Sequence, residues 1–141
     1  MRRWGLVYVL HSTLPQSVER RPDPIRSGTG ISLRSEGDVV KIEQVVLRLV
    51  EMPLRFRFRT SFGETTRKRF LLVEVCSGGI SGWGECVAED GPFFSPETID
   101  SARAVLARFL APLVLGRELA AAGAFDALAA RVRGNRMAKG G

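Results

Sequence analysis

From Lys41 onward the chain alternates apolar and polar positions with a period of two. Val45, Leu47 and Leu49 fall on one side and Val46, Arg48 and Val50 on the other, the signature of a strand with a buried face. Pro53 is expected to end that strand, because proline cannot donate to a ladder. Leu71, Val73 and Val75 form a second apolar face, and the β-branched content predicts a strand from about residue 67 to 76. Ser77-Gly78-Gly79 reads as a hairpin turn, since glycine reaches positive φ without strain. Residues 80–87 then return as a third strand, with Gly82 and Gly84 leaving room for close approach to the backbone. The pattern predicts a three-stranded antiparallel meander.

The period lengthens after Ser95. Ser95-Pro96-Glu97 reads as a helix start, with serine as N-cap, proline in the first turn and an acid near the positive end of the dipole. Ile99, Ala102, Leu106, Phe109, Leu110 and Leu113 follow at helical spacing, and Pro112 should kink or end the helix. A second helix is expected over residues 119–133, carrying Phe125, Leu128, Ala129 and Val132 on one face, with Gly134 after its end. Strands followed by helices make an α+β fold. Residues 40–134 are expected to form this domain. Residues 1–39 hold Pro15, Pro22, Pro24, Gly28, Gly30 and Gly37 among scattered charges and read as a weakly ordered N-terminal extension. One account of that extension is a start codon upstream of a true initiator at Val39 or Val40.

Length and charge narrow the functions. A chain of 141 residues holds one domain of ordinary size and no (β/α)8 barrel, which needs about 200–250 residues. The net charge of +6 comes from arginine spread along the chain, whereas nucleic-acid binding wants basic residues gathered on one face. No nucleic-acid partner is expected. Cys76 and Cys86 fall on the two arms of one hairpin, with Cys86 opposite about Phe70, so about 20 Å at 3.3 Å per residue separates them. Two free thiols and a reducing compartment follow. The apolar run near Leu6–Leu10 is short and is interrupted by His11, and no stretch reaches the eighteen apolar residues of a membrane span. A cytoplasmic protein without a membrane partner is expected.

Catalytic groups are sparse. His11 is the one histidine, which leaves no Ser-His-Asp or Cys-His arrangement in the body of the chain. CxxC, HExxH and phosphate-loop patterns are absent.

Three segments together carry a resemblance: Met52-Pro-Leu-Arg-Phe-Arg-Phe-Arg-Thr-Ser-Phe-Gly63, Gly82-Trp-Gly-Glu-Cys-Val87 and Arg136-Met-Ala-Lys-Gly140. With the intervening Glu89-Asp-Gly-Pro-Phe-Phe-Ser95, they resemble the N-terminal capping domain of the enolase superfamily, of the mandelate racemase/muconate lactonizing enzyme type. The branch is that of o-succinylbenzoate synthase and N-acylamino acid racemase, and the match covers about residues 41–139. The resemblance implies an enzyme in which a barrel lysine removes the proton α to a carboxylate while Mg2+ or another divalent metal stabilises the enediolate. The synthase reaction belongs to menaquinone biosynthesis. In this chain the Lys-x-Lys pair of that family is missing and residues 135–141 correspond to the start of the barrel. The chain is therefore expected to have no catalytic residue, cofactor or metal of its own, and to meet a small-molecule carboxylate only through the missing barrel.

In the family, two mobile loops of the cap line the pocket for the substrate's distal group. They correspond here to residues 54–64 and 88–95. The resemblance assigns substrate contact to Phe58 and Arg59 in the first and to Glu89 and Phe94 in the second. Glu89 stands where some relatives have methionine, and Arg55 and Arg57 also depart from the usual residues. Plainer readings stand beside these. Phe56, Phe58 and Phe62 could plug the meander, and Arg59 could hold the loop to the domain. Trp83 and Glu85 read as structural, a packed indole and a buried or hydrogen-bonded carboxylate. The barrel-facing surface around Leu54, Phe58, Phe93 and Phe94 is expected to self-associate when uncovered. The rival to a capping fragment is a basic, non-catalytic binding module that retains the cap fold.

Overall fold

The computed structural model describes residues 3–11, 14–20, 39–61 and 63–141. The expected meander is present as β4 (Gln44–Thr60), β5 (Gly63–Ser77) and β6 (Ile80–Cys86), all antiparallel. The Gly78-Gly79 turn has φ of 53° and 79°, which glycine tolerates and which matches strand twist in a two-residue hairpin. Two further strands, β1 (Arg3–His11) and β2 (Leu14–Arg20), extend the sheet in the order β2-β1-β4-β5-β6. Their sequence lacks clear alternation, so pairing along the edge of β4 was not foreseen. Of the weakly ordered extension expected over residues 1–39, residues 3–11 and 14–20 form these two strands. Residues 1–2, 12–13 and 21–38 lie outside the described residues, as does the reading of Phe62.

Pro53 does not end the first strand. It pairs with Arg67, and pairing resumes at Phe58↔Thr65, so five steps along β4 face two along β5. Such a bulge absorbs the missing donor, and bulges are among the few places a sheet admits proline. The hairpin register also differs by one from expectation: Cys86 faces Leu71 rather than Phe70. Both cysteines are free.

One sheet face carries the main core cluster, and Val46, Val50 and Phe70 are buried on the other. Val45, Leu47, Leu71, Val73 and Cys86 are buried against Ile99, Ala102, Leu106 and Leu110 of the helical layer. On the other face Arg48 pairs with Glu74 and lies 5.0 Å from the centroid of the Trp83 ring. Trp83 remains half exposed, its packing supplied by this cation–π contact. Glu85 is exposed, so of the expected buried or hydrogen-bonded carboxylate the buried form is not met.

Helix α1 (Ile99–Val105) starts one turn later than the sequence suggests. Its N-cap is Thr98, whose hydroxyl accepts from the Ser101 N–H while the Ser101 hydroxyl accepts from the Thr98 N–H. This reciprocal capping box satisfies two orphan amides. Ser95 instead accepts from the Glu97 N–H.

A π-helical turn (Leu106–Leu110) continues α1 into α2 (Ala111–Val114). Its bond runs from the Ala111 N–H to the Leu106 carbonyl. Pro112 explains it: the ring has no N–H and would crowd the carbonyl four residues back, and a wider turn opens that space. The extra residue also rotates the apolar stripe. Leu110, Ala111 and Val114 are buried, and Phe109 is turned out to 56% exposure instead of joining the core.

Beyond α2, β7 (Glu118–Leu119) pairs with β3 (Val40–Lys41), a short ladder the periodicity did not show. The second helix is shorter than expected at both ends: α3 spans Gly123–Ala129, and Leu119, its expected first residue, pairs in that ladder instead. Phe125, Leu128, Ala129 and Val132 still pack on the core as the spacing predicts. Residues 136–140, placed at the start of a barrel by resemblance, form α4 (Arg136–Gly140) against β6.

Candidate functional site

An antiparallel meander sends alternate connections to opposite ends of a sheet. The Gly78-Gly79 turn is at one end. The β4–β5 tip and the segment after Cys86 share the other, because Cys86 lies beside Leu71 rather than beside the turn. Topology alone thus gathers the two segments expected to line a pocket.

The first is an extension of the β4–β5 hairpin. Phe58, Arg59 and Thr60 pair with Thr65, Glu64 and Gly63. Glu64 receives Arg57 at 3.2 Å and Arg59 at 2.8 Å. One carboxylate thus holds two guanidinium groups on one side of the ribbon, and Arg59 braces the hairpin. Phe58 is 62% exposed and Phe56 is 86% exposed. They do not plug the meander.

The second segment, residues 88–95, begins at the buried Ala88. Glu89 forms a bridge with Thr98, and its carbonyl accepts from the Ile99 N–H at 2.8 Å, so the neck of the loop is closed by backbone. Glu89 and Asp90 reach Lys68 and Arg69 of β5 at 3.5 Å and 2.6 Å. Phe93 and Phe94 stand about four-fifths exposed at the tip.

Of the residues anticipated from sequence, Phe58 and Arg59 therefore sit on the hairpin, and Glu89 and Phe94 on the loop beside it. Glu89 has a cation partner within the domain.

Glu97 was read as an acid at the start of its own helix. Its carboxylate instead accepts the Met137 and Ala138 N–H groups, both at 3.1 Å, and so caps α4. Asn135, preceding α4, has φ of 52° and gives no side-chain cap. No local signal marks a cap supplied from forty residues away.

Gly84 fulfils its expected role: a Cβ there would lie 1.8 Å from the Gly141 carbonyl oxygen. Gly82 has nothing within 4 Å, so its side of the expectation fails.

Burial pushes the Cys86 thiol up, a hydrogen bond with the Ala88 backbone opposes this, and the Glu97 charge adds to the rise. The folded chain keeps that proton after the unfolded chain has lost it. Stability from this group is thus fully present below the ordinary thiol value of 9.0 and is lost as pH rises above it. Melting temperatures between pH 8 and 10.5 should fall less steeply for Cys86→Ala than for the parent. Equal slopes would contradict the assignment.

An apolar cavity of about 380 Å³ lies between sheet and helices, bordered by Val45, Val73, Leu110, Phe125 and Lys139. Among the described residues no group of three or more His, Cys, Asp or Glu side chains could hold a metal ion. Nor is any described helix long and apolar enough to cross a membrane.

The fold is thus α+β: an antiparallel meander covered on one face by a helical layer, with two aromatic-tipped segments at one end. Residues 42–141 match the family of the mandelate racemase/muconate lactonizing enzyme N-terminal domain, and the chain belongs to it. An N-succinylamino acid racemase of Thermus thermophilus is 43% identical over 100 residues, covering 71% of this chain and 27% of that protein. An o-succinylbenzoate synthase of Geobacillus kaustophilus is 42% identical over 101 residues, with coverages of 71% and 27%. Among solved structures, an enolase-superfamily member from Listeria innocua superposes with a TM-score of 0.65 at 31% identity, over 72% of this chain and 27% of that one. The chain thus spans about a quarter of the length of the relatives it matches.

Proposed function

We propose that this chain is the substrate-capping domain of a divalent-metal-dependent o-succinylbenzoate synthase or N-acylamino acid racemase, and that it is inactive by itself. The observation that carries the reading is the match of residues 42–141 to the N-terminal domain family, with relatives of both activities above 40% identity. The described residues do not fit a divalent metal, so no step of the chemistry is assigned to them.

What the domain supplies is recognition. Phe58 and Phe94 offer apolar surface to the distal part of a carboxylate substrate and exclude water from it. Arg59, braced by Glu64, fixes the hairpin that presents Phe58. The work is assigned to the cytoplasm.

Purified alone, the chain is expected to show no magnesium-dependent dehydration or racemisation of the corresponding substrates. Turnover above background, in material proven free of host enzyme, would sink this reading. The exposed Phe56, Phe58, Phe93 and Phe94 are expected to drive self-association. Sedimentation velocity checks this, and a monodisperse monomer that binds no hydrophobic dye counts against it.

A further inference from the structure

Strand β5 is paired with β6 only from Leu71↔Cys86 to Ser77↔Ile80. Residues 67–70 continue past the end of β6, and among the described residues that edge of β5 has no partner strand there. Two ion pairs connect this stretch to the chain emerging from β6. Lys68 Nζ lies 3.5 Å from Glu89 Oε1, and an Arg69 terminal nitrogen lies 2.6 Å from Asp90 Oδ1. Successive side chains of a strand leave from opposite faces. Lys68 and Arg69 are successive, and so are the two carboxylates that meet them. The loop is thus held from both faces of the strand at once.

Its other attachments are of a different kind. The neck is closed by the backbone bond from the Ile99 N–H to the Glu89 carbonyl. On the side of α4, the part-buried Glu97 carboxylate accepts two backbone amides. Those bonds are shielded from salt, whereas exposed ion pairs are screened by it. One flank is firm and the other releasable.

We propose that Lys68 and Arg69 are positioning residues for the 88–95 loop. Together they grip it across the free edge of β5 and set where Phe93 and Phe94 are presented. When the grip is released, the loop turns about its neck at Glu89 and Ile99. The consequence for substrate selection rests on the capping-domain reading, while the grip itself does not, so the test reads the loop directly.

The test uses amide hydrogen exchange on the whole 141-residue chain. Arg69→Gln should speed exchange at the amides of Asp90, Gly91, Phe93 and Phe94 by about two- to fivefold, the range set by loss of one exposed ion pair. Lys68→Gln should do less, because its pair is longer, and the double variant should do more than either. Amides of β4 and the buried stretch of β5 should be unchanged. About 0.5 M NaCl screens both pairs and should therefore reproduce the double variant's effect on the parent chain. The reversed pair Arg69→Asp with Asp90→Arg should restore slow exchange, a rescue that simple loss of packing would not give.

If Arg69→Gln disturbs the fold, Asp90→Asn removes the same pair from the loop side without touching the strand. Unchanged exchange at those loop amides in a folded variant overturns the proposal, as does failure of the reversed pair to rescue. Activity of the isolated chain does not enter these outcomes, so a failed grip and a failed capping role are told apart.

Discussion

Leu71→Ala should unfold this domain at a temperature where the parent chain is still native. Leu71 is completely buried, paired with Leu49 on one side and Cys86 on the other. It stands at the centre of the meander and against the helical layer. Truncation there removes apolar contact and leaves a hole that two flanking strands cannot easily collapse into, a loss of about 2–5 kcal/mol. A domain this size has only about 5–15 kcal/mol of stability in all. Urea denaturation followed by circular dichroism measures the change. Met52→Ala, at an exposed position of the same β4–β5 hairpin, serves as the control and should move stability by less than about 0.5 kcal/mol. A loss below about 1 kcal/mol for Leu71→Ala would mean that the core is centred elsewhere.

Gly84→Val should detach the C-terminal helix. Even a methyl at this position would meet the Gly141 carbonyl oxygen at 1.8 Å and its carbon at 2.9 Å, both far inside contact distance and both backbone. Valine adds bulk that no rotamer removes. Either β6 bends or α4 leaves the sheet, and the second costs less, because α4 is a short helix whose one fully buried side chain is Ala138. A destabilisation of about 1–3 kcal/mol is expected from such overpacking. Its signature is local: the Met137 and Ala138 amides, held by Glu97, should lose their protection while those of β4 and β5 keep theirs. Gly82→Val, two residues away with open space around it, should leave both amides protected. Loss of protection in both variants would point to weakening of β6 itself instead of a collision.

Where alternation was strong, the sequence was legible. Val45, Leu47, Leu71 and Val73 announced the buried face of the sheet, and Gly78-Gly79 the turn. Local preference and burial point the same way at those positions, so the pattern suffices. Pro53 misled because its rule concerns an unbroken ladder, and the bulge is a property of two strands together. Phe109 misled for a related reason: a 3.6-residue period presumes a regular helix, and Pro112 widened the turn before it.

The candidate site was readable only as two segments of chain. Arg-Phe alternation and the Glu89–Ser95 run mark residues worth attention, and the family resemblance gives them a role. Lys68 and Arg69 carry no sequence signal, and Glu97 carries one only as an acid at the start of its own helix. Each acts on a partner at least twenty residues away in sequence, and nothing in the spacing of charges reveals such a pairing.

By itself, then, the sequence determined the α+β class, the meander, the buried face and the family, because these follow from periodicity, turn chemistry and motif order, all of which are local. Tertiary structure alone decided the bulge after Pro53, the π turn before Pro112 and the β3–β7 ladder. It also decided the ion pairs between β5 and the 88–95 loop and the capping of α4 by Glu97. Each of these sets one stretch of chain against another, and the energy that fixes it is absent until the two are brought together.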